Sequence, residues 1–394
     1  MRKMFTPLAT RSPYLASLLL GAALLAPAKA TSAPPADTVV GSAGSQLRAQ
    51  VVAELQEPWA LSFIDEQQLL VSTKPGQLWL VNTNGQARVV EGMPPVFVGG
   101  QGGMGDVVTH PNFANNRLVY LSYVSSTDGG RTRFATVARA TLDTAALPLR
   151  LSNLQTIWQQ IPALSGKGHF SHRLAFAPTN SAYAGQLFIS SGDRQEMEPA
   201  QEWTGNLGKI VRLNDDGSVP ADNPFQDKGK LATTVWTTGH RNVLGLAFNN
   251  QGELWAHEMG PRNGDELNRI TPGRNYGWPL VSEGRHYSGF GIPSHGTRPE
   301  FQAPALFWDP TIAPSGLAFY KGTQFAQWQD HAFIGGLRSQ ALIRVSFKNG
   351  QAAEAERFSW NRRVRDVEVS ADGAIWVIED GAAGRLMRLS KPAN

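Results

Sequence analysis

The sequence predicts an all-β fold, a six-bladed β-propeller of four-stranded antiparallel blades. Three observations carry that expectation. Short stretches of alternating apolar residues recur about every 50–70 positions along the chain, the signature of stacked supersecondary units. Gly (40), Pro (25) and Trp (11) are abundant, which suits many short strands joined by tight turns. Long amphipathic helical patterns are nearly absent. No single unit could bury its apolar face alone, whereas radial repetition of small sheets lets each pack on the next. A β-sandwich is the alternative, but a repeating Leu-Ala-Phe followed by Leu-Trp or Leu-Phe favours the ring.

Taken in order, residues 1–30 read as a secretory signal peptide. Arg2, Lys3 and Arg11 make a basic start, an apolar run follows, and Ala28-Lys29-Ala30 forms a small-x-small cleavage signal. The apolar run is shorter than the roughly 20 residues that span a bilayer. The expected location is therefore periplasmic or secreted, with no stable membrane span after cleavage. Residues 31–45 are small and polar and are expected to form a flexible lead, and 46–394 a single propeller domain.

The signal removes four basic and no acidic residues, leaving 32 of each sign. The overall basicity belongs to the leader and gives no support for nucleic-acid binding. Cysteine is absent, so stability in an exported protein rests on the core and on bound groups rather than disulfides.

Each unit opens with a recognisable inner strand. Unit one has Pro58-Trp59-Ala60-Leu61, and unit two Met104-Gly105-Asp106-Val107. Unit three has Arg173-Leu174-Ala175-Phe176, and unit four Leu244-Gly245-Leu246-Ala247-Phe248. Unit five has Ser315-Gly316-Leu317-Ala318-Phe319, and unit six Val364-Arg365-Asp366-Val367. In a propeller the loops leading into these strands converge on one end of the central channel. The converging residues are Gln101, His169 with Arg173, Arg241 with Asn242, Pro314 with Ser315, and Arg363 with Arg365. That set predicts an electropositive pocket on the channel axis. Arginines there could grip carboxylates in bidentate geometry, Arg338 among them. Neighbouring cations would hold His169 neutral, as a general base requires. His172 is read as structural.

Residues 260–266 offer backbone carbonyls and two carboxylates in a short turn, a hard-oxygen set suited to Ca2+ though not an EF-hand. Gly100-Gln101-Gly102-Gly103-Met104-Gly105 matches G-x-G-x-x-G literally, but a strand pattern follows it and no βαβ unit surrounds it, so it is not a dinucleotide site.

Together, Gln101-Gly102-Gly103, His169-x-x-x-Arg173-Leu174, Gly239-His240-Arg241-Asn242, Gly260-Pro261 before Asp265-Glu266, Asn275-Tyr276-Gly277-Trp278-Pro279 and Arg363-Val364-Arg365-Asp366 resemble one family in order. It is the soluble quinoprotein glucose dehydrogenase family, in particular its aldose sugar dehydrogenase branch. The resemblance implies a six-bladed periplasmic enzyme that binds pyrroloquinoline quinone (PQQ) and Ca2+. Such an enzyme oxidises aldoses at C1 to lactones and passes electrons to a respiratory or diffusible acceptor. It implies that His169 is the general base during hydride transfer to PQQ. Gln101, Arg173, Arg241, Asn242, Tyr287, Arg338, Arg363 and Arg365 would contact the cofactor. Gly260 and Pro261 would bind the catalytic Ca2+ through their carbonyls, and Glu266 and Tyr276 a second, structural one.

Two positions depart from the family: Arg338 replaces a common lysine, and Met259 a glutamine or histidine. Residues 226–231 and 283–297 are placed on the rim. The rival functions are a metal-dependent sugar lactonase, which needs channel carboxylates or histidines, and a non-catalytic sugar- or ligand-binding propeller.

Overall fold

Six innermost strands ring a central channel: Pro58–Phe63, Met104–Thr109, Ser171–Phe176, Val243–Phe248, Pro314–Phe319 and Val364–Val369. Each begins an antiparallel sheet that runs outward in chain order, except the sheet of unit six, whose two outermost strands come from the beginning of the chain. The architecture is that of a six-bladed β-propeller, seen in a computed structural model that describes residues 37–348 and 350–392. The signal peptide expected at 1–30 lies outside the described residues.

Five blades have four strands and the sixth has five. Its Val364–Val369, Ile375–Glu379 and Gly384–Ser390 strands are followed outward by Gln46–Leu55 and then Asp37–Val40, both from the beginning of the chain. Joining the two ends of the chain in one sheet closes the ring with backbone hydrogen bonds. The flexible lead expected over 31–45 therefore does not extend through it. Asp37–Val40 pairs with Gln46–Leu55, and Ser45 N–H donates to Glu356 at 2.9 Å. Small polar residues hid this strand, because an outermost strand buries little and shows no apolar alternation; only Val39 of its four residues is buried.

The core lies between blades. Leu70, Leu78 and Leu80 of blade one pack with Val107, Val119 and Leu121 of blade two, and the same contact repeats around the ring. Short polar ties cross each seam beside the channel. Ser72 Oγ donates to the Gly105 carbonyl (2.6 Å), Ser190 Oγ to Val243 (3.2 Å) and Ser315 Oγ to Val364 (2.6 Å). A buried hydroxyl that bonds across a seam fixes the angle between two blades at a net gain of about 1 kcal/mol.

Every innermost strand carries a register irregularity in its first few residues, at Pro58/Ala60, Met104/Val107, Ser171/Leu174, Val243/Gly245, Pro314/Leu317 and Val364/Asp366. Such bulges re-aim side chains that would otherwise alternate strictly across the strand. All six lie at the same end of the channel. That is the end at which the candidate residues gather.

Candidate functional site

A cavity of about 430 Å³ opens at this end, within the size range of sites for small ligands. Gln101, Asn242, Arg363 and Arg365 line it, as the sequence predicts, together with Met259. Residues the sequence reading passed over complete the wall: Glu57, Trp59, Lys74, His172, Leu337 and Asp380. His172 is held neutral, its pKa pushed down to about 3 by burial and then by the cations Arg173 and Arg194. Its ring stacks on Trp59, 5.3 Å between centroids and 20° between planes, and bonds Ser122 Oγ at 2.8 Å. Position 105 must be glycine for this, since a Cβ there would stand 1.9 Å from the imidazole.

Lys74, Leu337, Asp380 and, beside the cavity, Asp193 share a cause. In an antiparallel blade the end of the second strand lies beside the start of the first, so both loops reach the same mouth. Pro58 pairs with Thr73, Ser171 with Ser191, Val243 with Glu258 and Val364 with Glu379. Lys74, Asp193, Met259 and Asp380 each follow closely after the second of these partners. Reading the ends of second strands as well as the beginnings of first ones finds them.

The cavity is less positive than the sequence suggests. Arg365 grips Asp380 through Nε (2.9 Å) and Nη2 (2.7 Å), and Arg363 Nε reaches the other oxygen at 2.7 Å. Burial works to raise the Asp380 carboxyl, but Arg365 and then Arg363 outweigh it and hold it below its ordinary value. Arg173 does not reach the wall. It is buried on the channel axis between Asp106 (3.4 Å) and Asp366 (3.1 Å), with its guanidinium 4.2 Å over Trp59. Two carboxylates already match its charge. Arg338 is exposed beside the mouth, and Tyr287 stands 72% exposed on an outer loop, neither of them in the cavity wall.

His169 sits at the cavity's edge rather than in its wall. Its backbone N–H donates to Gln101 Oε1 at 2.8 Å, which ties it to a wall residue. Its Nδ1 lies 2.7 Å from Asp193 Oδ1, while Trp278 Nε1 donates to Asp193 Oδ2 at 2.8 Å and Gln195 N–H to Oδ1 at 2.8 Å. A carboxylate on Nδ1 fixes the tautomer with the proton there and leaves Nε2 as the acceptor. Burial lowers the His169 pKa, the Asp193 bond opposes this, and Arg241 and Arg194 add to the lowering. The product is a neutral imidazole, oriented and ready to take a proton near neutral pH.

Arg241 leads from this pair to the oxygen-rich turn. Its Nη1 donates to the Met259 (3.0 Å) and Gly260 (2.7 Å) carbonyls, and its backbone N–H to Glu258 Oε2 at 2.6 Å. Its buried Nε has no hydrogen-bond partner among the described residues. Gly260 and Pro261 line a small cleft with Glu258, Glu266, Tyr276 and Ser282. Glu266 is buried on the Asp265–Arg269 strand opposite Glu258, and its pKa is driven well above the ordinary value by burial and then by Glu258. The Tyr276 hydroxyl is engaged with Arg269 and Thr271, and its carbonyl accepts from His295 at 3.0 Å. Among the described residues no three Asp, Glu or His side chains converge as a metal cluster.

The residues fit the two implied groups in different ways. Stacked flat rings, amides and cations around one cavity suit a rigid planar tricarboxylate such as PQQ, and Arg241 Nε is a donor in need of an acceptor. The cleft offers Ca2+ backbone oxygens and one buried carboxylate whose charge is poorly matched, with Asn268 Oδ1 beside it lacking a partner among the described residues. At Gly260, the Arg241 guanidinium and a cation would compete for the same carbonyl.

The Glucose / Sorbosone dehydrogenase family profile matches residues 55–388. The "Aldose sugar dehydrogenase YliI" of Escherichia coli (strain K12) is 37% identical over 351 residues, covering 86% of this chain and 91% of the relative. The structure of the soluble aldose sugar dehydrogenase of Escherichia coli in the apo-form superposes with a TM-score of 0.80 at 34% identity, covering 88% of this chain and all of that one. The PQQ-bound aldose sugar dehydrogenase of Streptomyces coelicolor superposes at 0.72 and 28% identity, covering 87% and 98%.

Proposed function

Because the chain belongs to the glucose/sorbosone dehydrogenase family, we propose that it is a PQQ- and Ca2+-dependent dehydrogenase that oxidises aldoses at C1 to lactones. The observation that carries the reading is the Asp193–His169 pair tied through Gln101 to a cavity lined by Asn242, Arg363 and Arg365. His169 Nε2 takes the proton of the anomeric hydroxyl, and Asp193 stabilises the imidazolium that results. Trp278 and Gln195 hold the Asp193 carboxylate in place, so its orientation does not depend on solvent. Arg363, Arg365 and Lys74 provide the cationic edge for carboxylates, and Gln101 and Asn242 the amides. The Gly260 and Pro261 carbonyls would hold one Ca2+, and Glu266 with the Tyr276 carbonyl a second. The chemistry supplied by bound PQQ and Ca2+ is two-electron acceptance at a polarised ortho-quinone.

The start of the sequence supports export to the periplasm or medium, and the electron acceptor is respiratory or diffusible. Among the described residues no helix is long and apolar enough to cross a membrane. The lactonase alternative needs a metal-binding cluster of channel carboxylates or histidines, which the described residues do not form.

The test is to load the purified protein with PQQ and Ca2+ and supply a panel of aldoses with a dye acceptor. Dye reduction that needs both groups, with lactone as the product, is expected. Sugar-independent dye reduction, or lactone hydrolysis without any dye reduction, would contradict the assignment.

A further inference from the structure

Arg194 follows the carboxylate that orients His169, and its own side chain turns the other way, into the protein. It is fully buried. Among the described residues no carboxylate pairs with it. Its guanidinium instead surrounds the segment that carries the imidazole. Nε donates to the Gly168 carbonyl at 2.9 Å, Nη2 to the Gly166 carbonyl, and Nη1 to the Arg133 carbonyl at 2.8 Å. The guanidinium carbon lies 3.8 Å from the ring centre of Phe170, and the Arg194 N–H reaches the His169 carbonyl at 3.3 Å. One residue thus touches the chain immediately before, at and after position 169.

That segment needs holding. His169, Ser171 and His172 have φ of 47°, 57° and 52°, and the facing Arg194, Gln195 and Met197 have 58°, 67° and 63°. Non-glycine residues in the left-handed region are strained, and such residues persist only where their surroundings over-determine them. The two strained segments press together closely. A Cβ on Gly168 would meet Gln195 Oε1 at 2.3 Å, and one on Gly192 the His169 carbonyl at 2.0 Å.

We propose that Arg194 is the positioning residue of the base, clamping the strained segment from which His169 projects. The proposal rests on the reading of His169 as the base. Donation in fixed directions from one rigid plane to three separate carbonyls is arginine's geometry; lysine keeps the charge without the planar fork. The clamp also places an unpaired cation near the imidazole. Burial lowers the pKa of Arg194 to about 10, with Arg133 adding to this and Glu196 and Asp193 opposing it, so it stays charged at neutral pH. The charged groups facing His169 are then Asp193, Arg241 and Arg194, of which the two arginines favour the neutral ring.

The experiment is nitrogen NMR of the PQQ-free, full-length mature protein labelled at histidine, with the His169 signals assigned by their loss in His169→Gln. In the parent protein, His169 shows the Nδ1–H tautomer and titrates below the ordinary histidine value. In Arg194→Met the titration moves upward and the tautomer signal averages. In Arg194→Lys the titration stays low while the tautomer signal still averages. Loaded with PQQ, both variants lose about tenfold or more in kcat, with KM for the aldose and PQQ retention unchanged, the pattern of lost transition-state positioning. Parent-like His169 tautomer and titration in both folded variants would overturn the proposal. Should Arg194→Met fail to fold, Arg194→Lys decides by its tautomer signal alone. Absence of turnover in the loaded parent protein would overturn the dehydrogenase reading instead, leaving the NMR result to judge the clamp.

Discussion

The two halves of the site differ in how far the protein satisfies itself. Around His169 nearly every polar group has its partner: Asp193 accepts three hydrogen bonds, Gln101 anchors the backbone, and Arg194 binds the surrounding carbonyls. Around residue 260 the opposite holds. Among the described residues, Arg241 has one arm on two carbonyls and a buried Nε without a partner, and Glu266 faces Glu258 with one bond from Asn268. Groups that take part in proton transfer must keep one orientation through the reaction, so the protein fixes them with its own bonds. Groups that receive a cation or an anion must keep bonding capacity in hand. On the proposed reading, the contrast divides the site into a part finished on folding and a part left for a bound group to finish.

Breaking the finished half has the largest effect. His169→Ala loses about 10²–10⁴-fold in kcat, the range for a general base, and keeps PQQ binding as read by absorbance; turnover near that of the parent would remove His169 from the mechanism. Asp193→Asn comes next, losing roughly 10- to 100-fold in kcat, as expected for a group that orients a functional histidine. The sign of its pH dependence is specific. Asp193 raises the His169 pKa, so its loss lowers that value further and moves the acid limb of kcat/KM to lower pH. An acid limb that moves upward in Asp193→Asn contradicts the orientation given to the pair.

The unfinished half responds through stability. Glu266→Gln removes a buried charge that burial and Glu258 oppose, so in chelator it raises the melting temperature, by about 2–4 °C for each kcal/mol recovered. The same variant loses the stabilisation that added Ca2+ gives the parent protein. Equal Ca2+ response in both proteins would move the second ion elsewhere. The smallest effect is expected of Trp278→Phe, which deletes one of the three bonds to Asp193; it lowers kcat about fivefold, equivalent to one hydrogen bond near 1 kcal/mol. A calorimetric and kinetic comparison with Asp193→Asn ranks the two.

The fold was legible because the inner strands repeat the same apolar alternation, from Leu174-Ala175-Phe176 to Leu317-Ala318-Phe319, and alternation reports burial directly. Asp37–Val40 was not, since an outermost strand is specified by its partner rather than by its own pattern. In the site, Gln101, Asn242, Arg363 and Arg365 were legible from their place before inner strands. Arg173 follows the same rule but is drawn inward by Asp106 and Asp366, two charges that no sequence spacing connects to it. His172 was assigned to structure because strict alternation turns it away, and the bulge between Ser171 and Leu174 cancels that alternation. Asp193 and Asp380 belong to loops after second strands, whose convergence follows from antiparallel pairing rather than from any motif.

On the proposed reading, the chain joins a protein-built base to a bound quinone for the oxidation of a sugar. A single turnover tests this most directly. The protein, loaded with PQQ and Ca2+, is mixed with an aldose in the absence of any external acceptor, and quinone absorbance and lactone are followed together. Loss of the oxidised-quinone absorbance is expected, with one lactone formed per bound PQQ, at a rate that collapses in His169→Ala. Unchanged absorbance in the loaded parent protein, or reduction at the same rate without His169, would contradict that reading.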